Sequence, residues 1–442
     1  MKTFSNNIAA KVILIVGDFF GIYLSLTMAY YLHGVLRPFL ELKVLPEVTM
    51  YVNEPLFYIV PFVMFIYEGI YTKRYDFWHE SREVIKSLLV SLVVVFFILA
   101  MLKLSQNFSR LVVAMAFLLM MFIIPLYKNI AKKALYKCGL WKRRARVYGC
   151  DVFVGKEIFS NHYLGYVLDE NERAETVFVN SYGLDYSERN RLIQKGLKEK
   201  YEVVFIPMME EFDLTQSHIY QLQNTRTNII VFQNRLASQT RLFLQQFLNY
   251  FFVVLLLPIL LPIIAVFAFL IKRESPGPIF FTHNRVGKNG RVIPTYKFRS
   301  MFSDAKERLE TLLKDDAVRK EWERNFKLKE DPRITKIGKF LRKTSLDELP
   351  QIFNVLKGEM NFVGPRPVIQ KEIDQYYKED AEFYFMVKPG ITGLWQVSGR
   401  SDTDYDFRVK IDKYYVVNWS LWLDIVILFK TIKVVLKRDG AY

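Results

Sequence analysis

The sequence predicts a membrane protein in three parts: an α-helical four-span N-terminal bundle, a middle small α/β Rossmann-like domain, and a C-terminal α/β domain with a re-entrant membrane helix. Three observations predict it. Four long apolar runs crowd residues 1–130. Short strands and polar helical stretches alternate over residues 146–234. A fifth apolar run, residues 245–272, carries Pro258 and Pro262 at its centre and basic residues on both flanks. A 442-residue chain with 51% hydrophobic and 24% charged residues is neither wholly embedded nor wholly soluble, and its mean hydropathy of +0.10 agrees.

The four N-terminal runs cover residues 8–32, 56–71, 85–102 and 111–127. Most approach the roughly 20 residues that cross a bilayer's hydrocarbon core. The first is too long for a signal peptide and lacks a small-residue cleavage site. Loop charge fixes the orientation. Lys73, Arg74, Arg82 and Lys86 lie between the second and third runs, and Lys128, Lys132, Lys133, Lys137, Lys142, Arg143, Arg144 and Arg146 follow the fourth. The other loops carry only Arg37 and Lys43, then Lys103 and Arg110. Both ends of the block therefore face the cytoplasm. Asp18 and Glu68 fall inside spans, where a charge is functional unless it sits near a span end and reaches the interface. The interfacial reading is preferred for both.

In the middle domain, strands are predicted at residues 147–148, 176–179, 202–206 and 228–232, giving a parallel sheet. Gly149 follows a strand, but residues 149–155 lack the G-x-G-x-x-G spacing that lets backbone approach a pyrophosphate. The domain is therefore read as a degenerate nucleotide-binding-like fold with a structural or regulatory role, and nucleotide-sugar oxidoreduction is disfavoured. Cys138 and Cys150 are too few for a disulfide framework and are not in metal-ligand spacing, so both read as reduced, cytosol-side thiols. The net charge of +16 suits an anionic nucleotide or lipid. No nucleic acid is expected, because no DNA-reading motif accompanies the charge.

Proline inside the fifth run removes helix hydrogen bonds. Arg235 and Arg241 precede the run, and Lys272, Arg273, Arg285, Lys288 and Arg291 follow it, so both ends belong on the cytoplasmic side. Each half is about 12 residues, roughly 18 Å of helix, which is less than the hydrocarbon thickness. A helix–break–helix hinged at Pro258 and Pro262 is the prediction.

Residues 273–442 form the last domain, with strands predicted at 279–282 and 292–297. Its centre is residues 342–367. Asp347 and Glu348 stand where a helix begins, and Leu349, Ile352, Phe353 and Leu356 follow at helical spacing. The helix ends at Gly358, and Gly364-Pro365-Arg366-Pro367 presents a guanidinium from a stiffened turn. Ser345 and Glu348 also match a capping box, and the two uses are compatible because a helix N-terminus favours an ionised carboxylate. With Asp347 as the cap instead, Pro350 fits the first turn better. An acid pair, a metal and a fixed arginine are what phosphoryl transfer requires. Lys297 and Arg299 are candidate phosphate contacts, with lipid headgroups the competing partner. The aromatics of residues 376–386 read as core. The glycines of residues 389–400 allow backbone to approach a ligand, and Arg400 is expected to pair with a nucleotide or with Asp402. Residues 419–437, with Trp419 and Trp422, read as an interfacial helix, a core helix being the competing reading.

Four pieces in register resemble the catalytic core of the bacterial polyprenyl-phosphate phosphoglycosyl transferases. They are Lys297-Phe298-Arg299-Ser300-Met301, residues 345–350, residues 361–367, and residues 389–400, and the likeness runs from about residue 247 to 442. The resemblance implies that residues 273–442 are the catalytic domain, that the middle domain matches one in the longer members, and that the fifth run is re-entrant. It departs at Leu261, where serine is usual, and at Gln245, Gln246 and Asn249, where a Lys-Arg and an Asp are usual. The implied reaction moves a hexose phosphate (galactose or glucose) from a UDP-sugar to undecaprenyl phosphate and releases UMP. Asp347 is then the nucleophile of a covalent aspartyl phosphosugar, Glu348 its partner for metal or proton, and Arg342 and Arg366 phosphate contacts. Asp347 and Glu348 would hold Mg²⁺, since a hard cation offsets repulsion between carboxylate and diphosphate. A homodimer in the bacterial inner membrane is implied, with its catalytic domain on the cytoplasmic face, opening the assembly of a surface polysaccharide. The alternative is a catalytically inactive assembly or regulatory factor.

Overall fold

The computed structural model describes residues 2–104, 107–148, 154–169, 174–181, 183–199, 202–207, 214, 217–222, 227–231, 233–314, 319, 328, 331–399 and 404–437. They form two compact units, Met1–Met208 and Met209–Tyr442.

In the first unit the apolar runs become helices α1 (Lys2–Leu40), α2 (Leu56–Glu68), α3 (Phe77–Met101) and α4 (Arg110–Lys137). Their buried faces share one core that includes Leu14, Ile22, Phe65, Leu88 and Phe117, while Phe20, Val93 and Ile130 stay exposed. Asp76 opens α3 by accepting hydrogen bonds from the backbone N–H groups of Trp78 and His79, both at 3.1 Å. Among the described residues, five helices are long and apolar enough to cross a membrane by length and composition. They are Ile8–Leu40, Val48–Glu68, α3, α4, and one in the second unit.

Asp18 does not reach an interface as expected. It is fully buried, 2.8 Å from the Lys128 ammonium, and it accepts a 2.7 Å hydrogen bond from the Tyr71 hydroxyl. Lys132 pairs with Glu80, which also accepts from the Tyr163 hydroxyl at 2.7 Å. Lys128 and Lys132 are therefore internal charges, although the sequence places them among orienting loop residues. Glu68 pairs with Lys86 at 2.8 Å.

Behind the bundle, β1 (Arg143–Tyr148), β2 (Tyr166–Leu168), β3 (Thr176–Asn180) and β4 (Glu202–Ile206) make a parallel sheet in the order β2-β1-β3-β4. Helix α5 (Tyr186–Glu199) joins β3 to β4, as parallel pairing demands. Arg74 fastens this layer to the bundle by donating to the carbonyls of Trp141 and Leu164 at 3.0 and 2.6 Å.

The second unit begins with an antiparallel hairpin, β5 (His218–Leu222) and β6 (Thr227–Val231). The strand expected at 228–232 thus belongs to this hairpin and not to the parallel sheet. Helix α6 (Gln239–Glu274) follows. The expected interruption is absent: α6 is one helix of 36 residues with Pro258 and Pro262 inside it. Apolar surroundings offer freed backbone groups no better partners than the rest of the helix, so the two prolines are tolerated.

One stripe of α6 packs on the globular part of its own unit. Val253, Leu257, Leu260, Ile264, Phe267 and Ile271 meet Ile293, Phe298, Leu341, Ile352, Val355 and Met360. The other side leaves Phe251, Val254, Ile259, Val266 and Phe269 exposed. Both ends are bonded to that globular part. The Asn249 side chain donates to Asn361 Oδ1 at 3.0 Å and accepts from Phe362 N at 3.1 Å, while the Glu274 carboxylate accepts from Lys336 N and Ile337 N at 2.6 and 3.0 Å.

The remaining framework is the antiparallel pair β7 (Phe280–Val286) and β8 (Val292–Phe298), helix α7 (Lys336–Lys343), a 3₁₀ turn (Leu346–Gln351) and helix α8 (Ile352–Leu356). Strands β9 (Asn361–Val363) and β10 (Gly390–Thr392) pair in parallel, and α9 (Tyr405–Val417) and α10 (Leu421–Lys437) complete the unit. The aromatic stretch is core as expected, with Tyr377 and Tyr384 buried. Trp419 is 1% exposed and donates to Asp424 Oδ2 at 3.1 Å, which makes it a core residue and not an interfacial one.

Candidate active site

Pairing in the β7–β8 hairpin sets Phe281 opposite Lys297, His283 opposite Thr295 and Arg285 opposite Ile293. Opposed residues project to the same face, so Arg285, Thr295 and Lys297 line up there. The acid pair arrives from α7. That helix ends at Lys343, and Ser345 takes a left-handed conformation, φ 56°. This is the usual way to close a helix, although strained for a residue other than glycine. Ser345 makes no side-chain cap bond, so the expected capping box does not form. The tight 3₁₀ turn then carries Asp347 and Glu348. Asn354 locks it to β8 by accepting from Tyr296 N at 3.0 Å and donating to Pro294 O at 2.7 Å.

Lys297 Nζ lies 2.7 Å from Glu348 Oε1 and 3.9 Å from Asp347 Oδ2. Arg366 Nη2 is 3.3 Å from the same Glu348 oxygen, and Arg342 Nε donates to Ser300 Oγ at 2.9 Å. These groups separate the two carboxyls. Burial alone would raise Glu348, but Arg366, Lys297 and Arg285 outweigh it and hold Glu348 down to about 2. Asp347 moves the other way: burial raises it, Lys297 opposes, and the Glu348 charge adds to the rise. Arg285, Thr295, Lys297, Glu348, Gln351, Arg366, Pro367 and Ile391 line one small polar pocket.

Arg366 is held by a close approach of two backbones. Gly364 N donates to Thr392 O and Gly390 N donates to Pro365 O, both at 2.9 Å. A Cβ on Gly390 would lie 2.1 Å from Gly364 N. The glycine at 390 therefore serves the loop that carries Arg366, not a ligand as expected.

The structure gathers Asp347, Glu348, Lys297, Arg342 and Arg366. It does not bring Arg299 to them: that guanidinium donates to Ser275 O and Pro276 O at 2.5 and 3.0 Å and closes the turn after α6. β8 ends at Phe298, so the alternation that aims Lys297 does not carry on to Arg299. Arg400 and Asp402 lie outside the described residues, as does Cys150, whereas Cys138 is exposed. Of the positions that depart from the family pattern, Gln245, Gln246 and Asn249 are engaged, whereas Leu261 is exposed. Gln245 donates to Asp424 at 3.0 Å, and Gln246 accepts from Lys388 at 2.8 Å.

Sequence reasoning missed Arg285, Gln351 and Glu372. In the sequence Arg285 reads only as a flanking charge. It lines the pocket and pairs at 3.3 Å with Glu372, which also accepts from the Tyr405 hydroxyl at 3.0 Å. The signal was the hairpin register, recoverable once the turn is placed at residues 287–290.

Two adjacent carboxylates offer hard oxygen donors that suit a small cation shared with a diphosphate. Among the described residues no group of three or more His, Cys, Asp or Glu forms a fuller cage, and a cation that also binds substrate oxygens does not need one.

Residues 240–438 match the family described as bacterial sugar transferase. The chain is 35% identical to the undecaprenyl-phosphate galactose phosphotransferase of Salmonella typhimurium, over 84% of each chain. It is 38% identical to the UDP-galactose-lipid carrier transferase of Erwinia amylovora, again over 84% of each. To the UDP-glucose:undecaprenyl-phosphate glucose-1-phosphate transferase of Escherichia coli it is 33% identical, over 61% of this chain and 56% of that one.

Proposed function

Because this chain belongs to the bacterial sugar transferase family, as a long-form member, we propose that it transfers galactose- or glucose-1-phosphate from a UDP-sugar to undecaprenyl phosphate. UMP is released, and the product starts a surface polysaccharide. The observation that carries this reading is the pocket in which Lys297, Arg366 and Arg285 surround Glu348 beside Asp347. Such a cup of fixed cations stabilises charge on a transferring phosphoryl group.

In the first step an Asp347 oxygen attacks the sugar-bearing phosphorus. The bond from that phosphorus to the bridging oxygen breaks, and UMP leaves with the electron pair. In the second step an oxygen of the lipid phosphate attacks the same phosphorus and expels the Asp347 carboxylate. Two easier displacements replace one hard one. Glu348, kept ionised by its cations, suits holding charge in place more than accepting a proton. A Mg²⁺ held by Asp347 and Glu348 would offset the negative charge of the diphosphate.

The attachment of α6 supports chemistry at one membrane face. Asn249 and Glu274 are 25 positions apart, about 38 Å along a helix, yet both bond to the same globular part. A crossing helix would carry those ends to opposite sides of a core about 30 Å thick. To enter and leave on the cytoplasmic face the continuous helix must bend, which Pro258 and Pro262 allow, and that bend keeps Asp347 beside the lipid phosphate. Its apolar outer side, Phe251 to Phe269, then meets acyl chains.

The test is UMP formation in membranes containing the protein, with UDP-galactose and UDP-glucose supplied separately. Release that needs both undecaprenyl phosphate and Mg²⁺ is expected. No UMP from either sugar nucleotide would favour an assembly factor instead.

A further inference from the structure

Gln351 is 3% exposed and lines the pocket, yet among the described residues its carboxamide oxygen has no hydrogen-bond donor. A buried acceptor without a donor is costly and uncommon in a native protein. The donors along the wall turn to other partners. Thr295 donates to His283 O at 2.8 Å, Lys297 to Glu348 at 2.7 Å, and Arg285 to Glu372 at 3.3 Å. That oxygen can accept a hydrogen bond from a group that enters the pocket.

Phosphate oxygens cannot supply it at neutral pH, because they only accept. Gln351 is three residues after Glu348 in a 3₁₀ turn, where side chains three apart eclipse and the rise is about 6 Å. Gln351 therefore stands about one turn from the acid pair. In an in-line displacement UMP departs on the side opposite Asp347, carrying its uracil away, and the sugar oxygen is an equatorial substituent. The sugar is thus the part of the donor substrate that stays next to the reacting phosphorus and carries hydroxyl donors.

Resting on the transfer reaction proposed above, we infer that Gln351 accepts a hydrogen bond from a hydroxyl of the transferred sugar and contributes to sugar selectivity. A site built to bond a hydroxyl penalises a substrate that lacks it, because the site's own polar group is then left unpaired.

The test measures kcat/KM for UMP release by wild type, Gln351→Met and Gln351→Glu. The substrates are UDP-galactose and its 2-, 3-, 4- and 6-deoxyfluoro analogues, since fluorine replaces the hydroxyl but cannot donate. Wild type should lose roughly tenfold or more on one analogue beyond the general effect of fluorine. Gln351→Met should be slower with UDP-galactose and show no extra loss on that analogue, whereas Gln351→Glu, which keeps an acceptor, should retain the discrimination. The same analogue profile in Gln351→Met and wild type would overturn the inference. So would a Gln351→Met defect removed by raised Mg²⁺, which would make the oxygen's partner the cation. Absence of UMP from wild type with both UDP-galactose and UDP-glucose would defeat the transfer reaction itself, and this inference with it.

Discussion

The bundle and the catalytic unit each hold a cluster of opposite charges, and the two differ in what is left over. In the bundle, Asp18 and Glu80 face Lys128 and Lys132, and all four are at most 1% exposed. Two acids meet two bases in equal number, and the Tyr71 and Tyr163 hydroxyls donate to the acids. In the pocket, Asp347 and Glu348 lie under the influence of Lys297, Arg366, Arg342 and, for Glu348, Arg285. Arg366 remains 42% exposed. A closed, balanced cluster pins helices to one another and to the sheet behind them. An open cluster with cations in excess is organised for an anion that has yet to arrive.

Breaking the closed cluster should have the largest effect. Glu80→Ala leaves Lys132 buried without its partner, and such losses cost about 3–5 kcal/mol. The transition temperature of the detergent-purified protein should fall steeply, while activity per folded molecule stays close to wild type. A variant as stable as wild type would show that this cluster does not pin the bundle. Lys297→Met should do the opposite. It removes one of the pocket's cations and should lower kcat/KM for UMP formation roughly 100-fold, about 2.7 kcal/mol, with little loss of stability. A large drop in stability without a specific loss of activity would erase the contrast.

Acid should act on the pocket more gently. Asp347 must be ionised to attack, and its pKa is raised above the ordinary 3.8 by burial and by Glu348. The rate of UMP formation should therefore decline as pH falls through a value higher than 3.8, by up to tenfold per unit below it. Glu348, held at about 2, stays charged throughout that window. A rate that is flat down to pH 4 would contradict the assignment of the nucleophile's environment.

Much of the pocket was legible because its residues are marked by chemistry close in sequence. Asp347 and Glu348 are adjacent, and Arg366 sits between two prolines. Arg285 was not legible, because its place depends on pairing across the β7–β8 turn. Gln351 is an ordinary polar residue until burial shows that its oxygen lacks a partner. The fold was read with similar limits. Apolar length located the four long N-terminal helices, but Lys128 and Lys132 count as loop charges until Asp18 and Glu80 are seen beside them. Pro258 and Pro262 suggested a break by a rule for helices in water, where released backbone groups have other partners. Arg299 was drawn in by its closeness to Lys297, and the end of a strand sent it elsewhere.

The most direct measurement supplies UDP-galactose and, separately, UDP-glucose, each labelled in the sugar, to the full-length protein without lipid acceptor, followed by peptide mass spectrometry. Wild type should carry a hexose phosphate on the peptide that contains Asp347, and undecaprenyl phosphate should discharge it. Asp347→Asn should carry none. A hexose phosphate retained by that variant, or found on another side chain, would contradict the account.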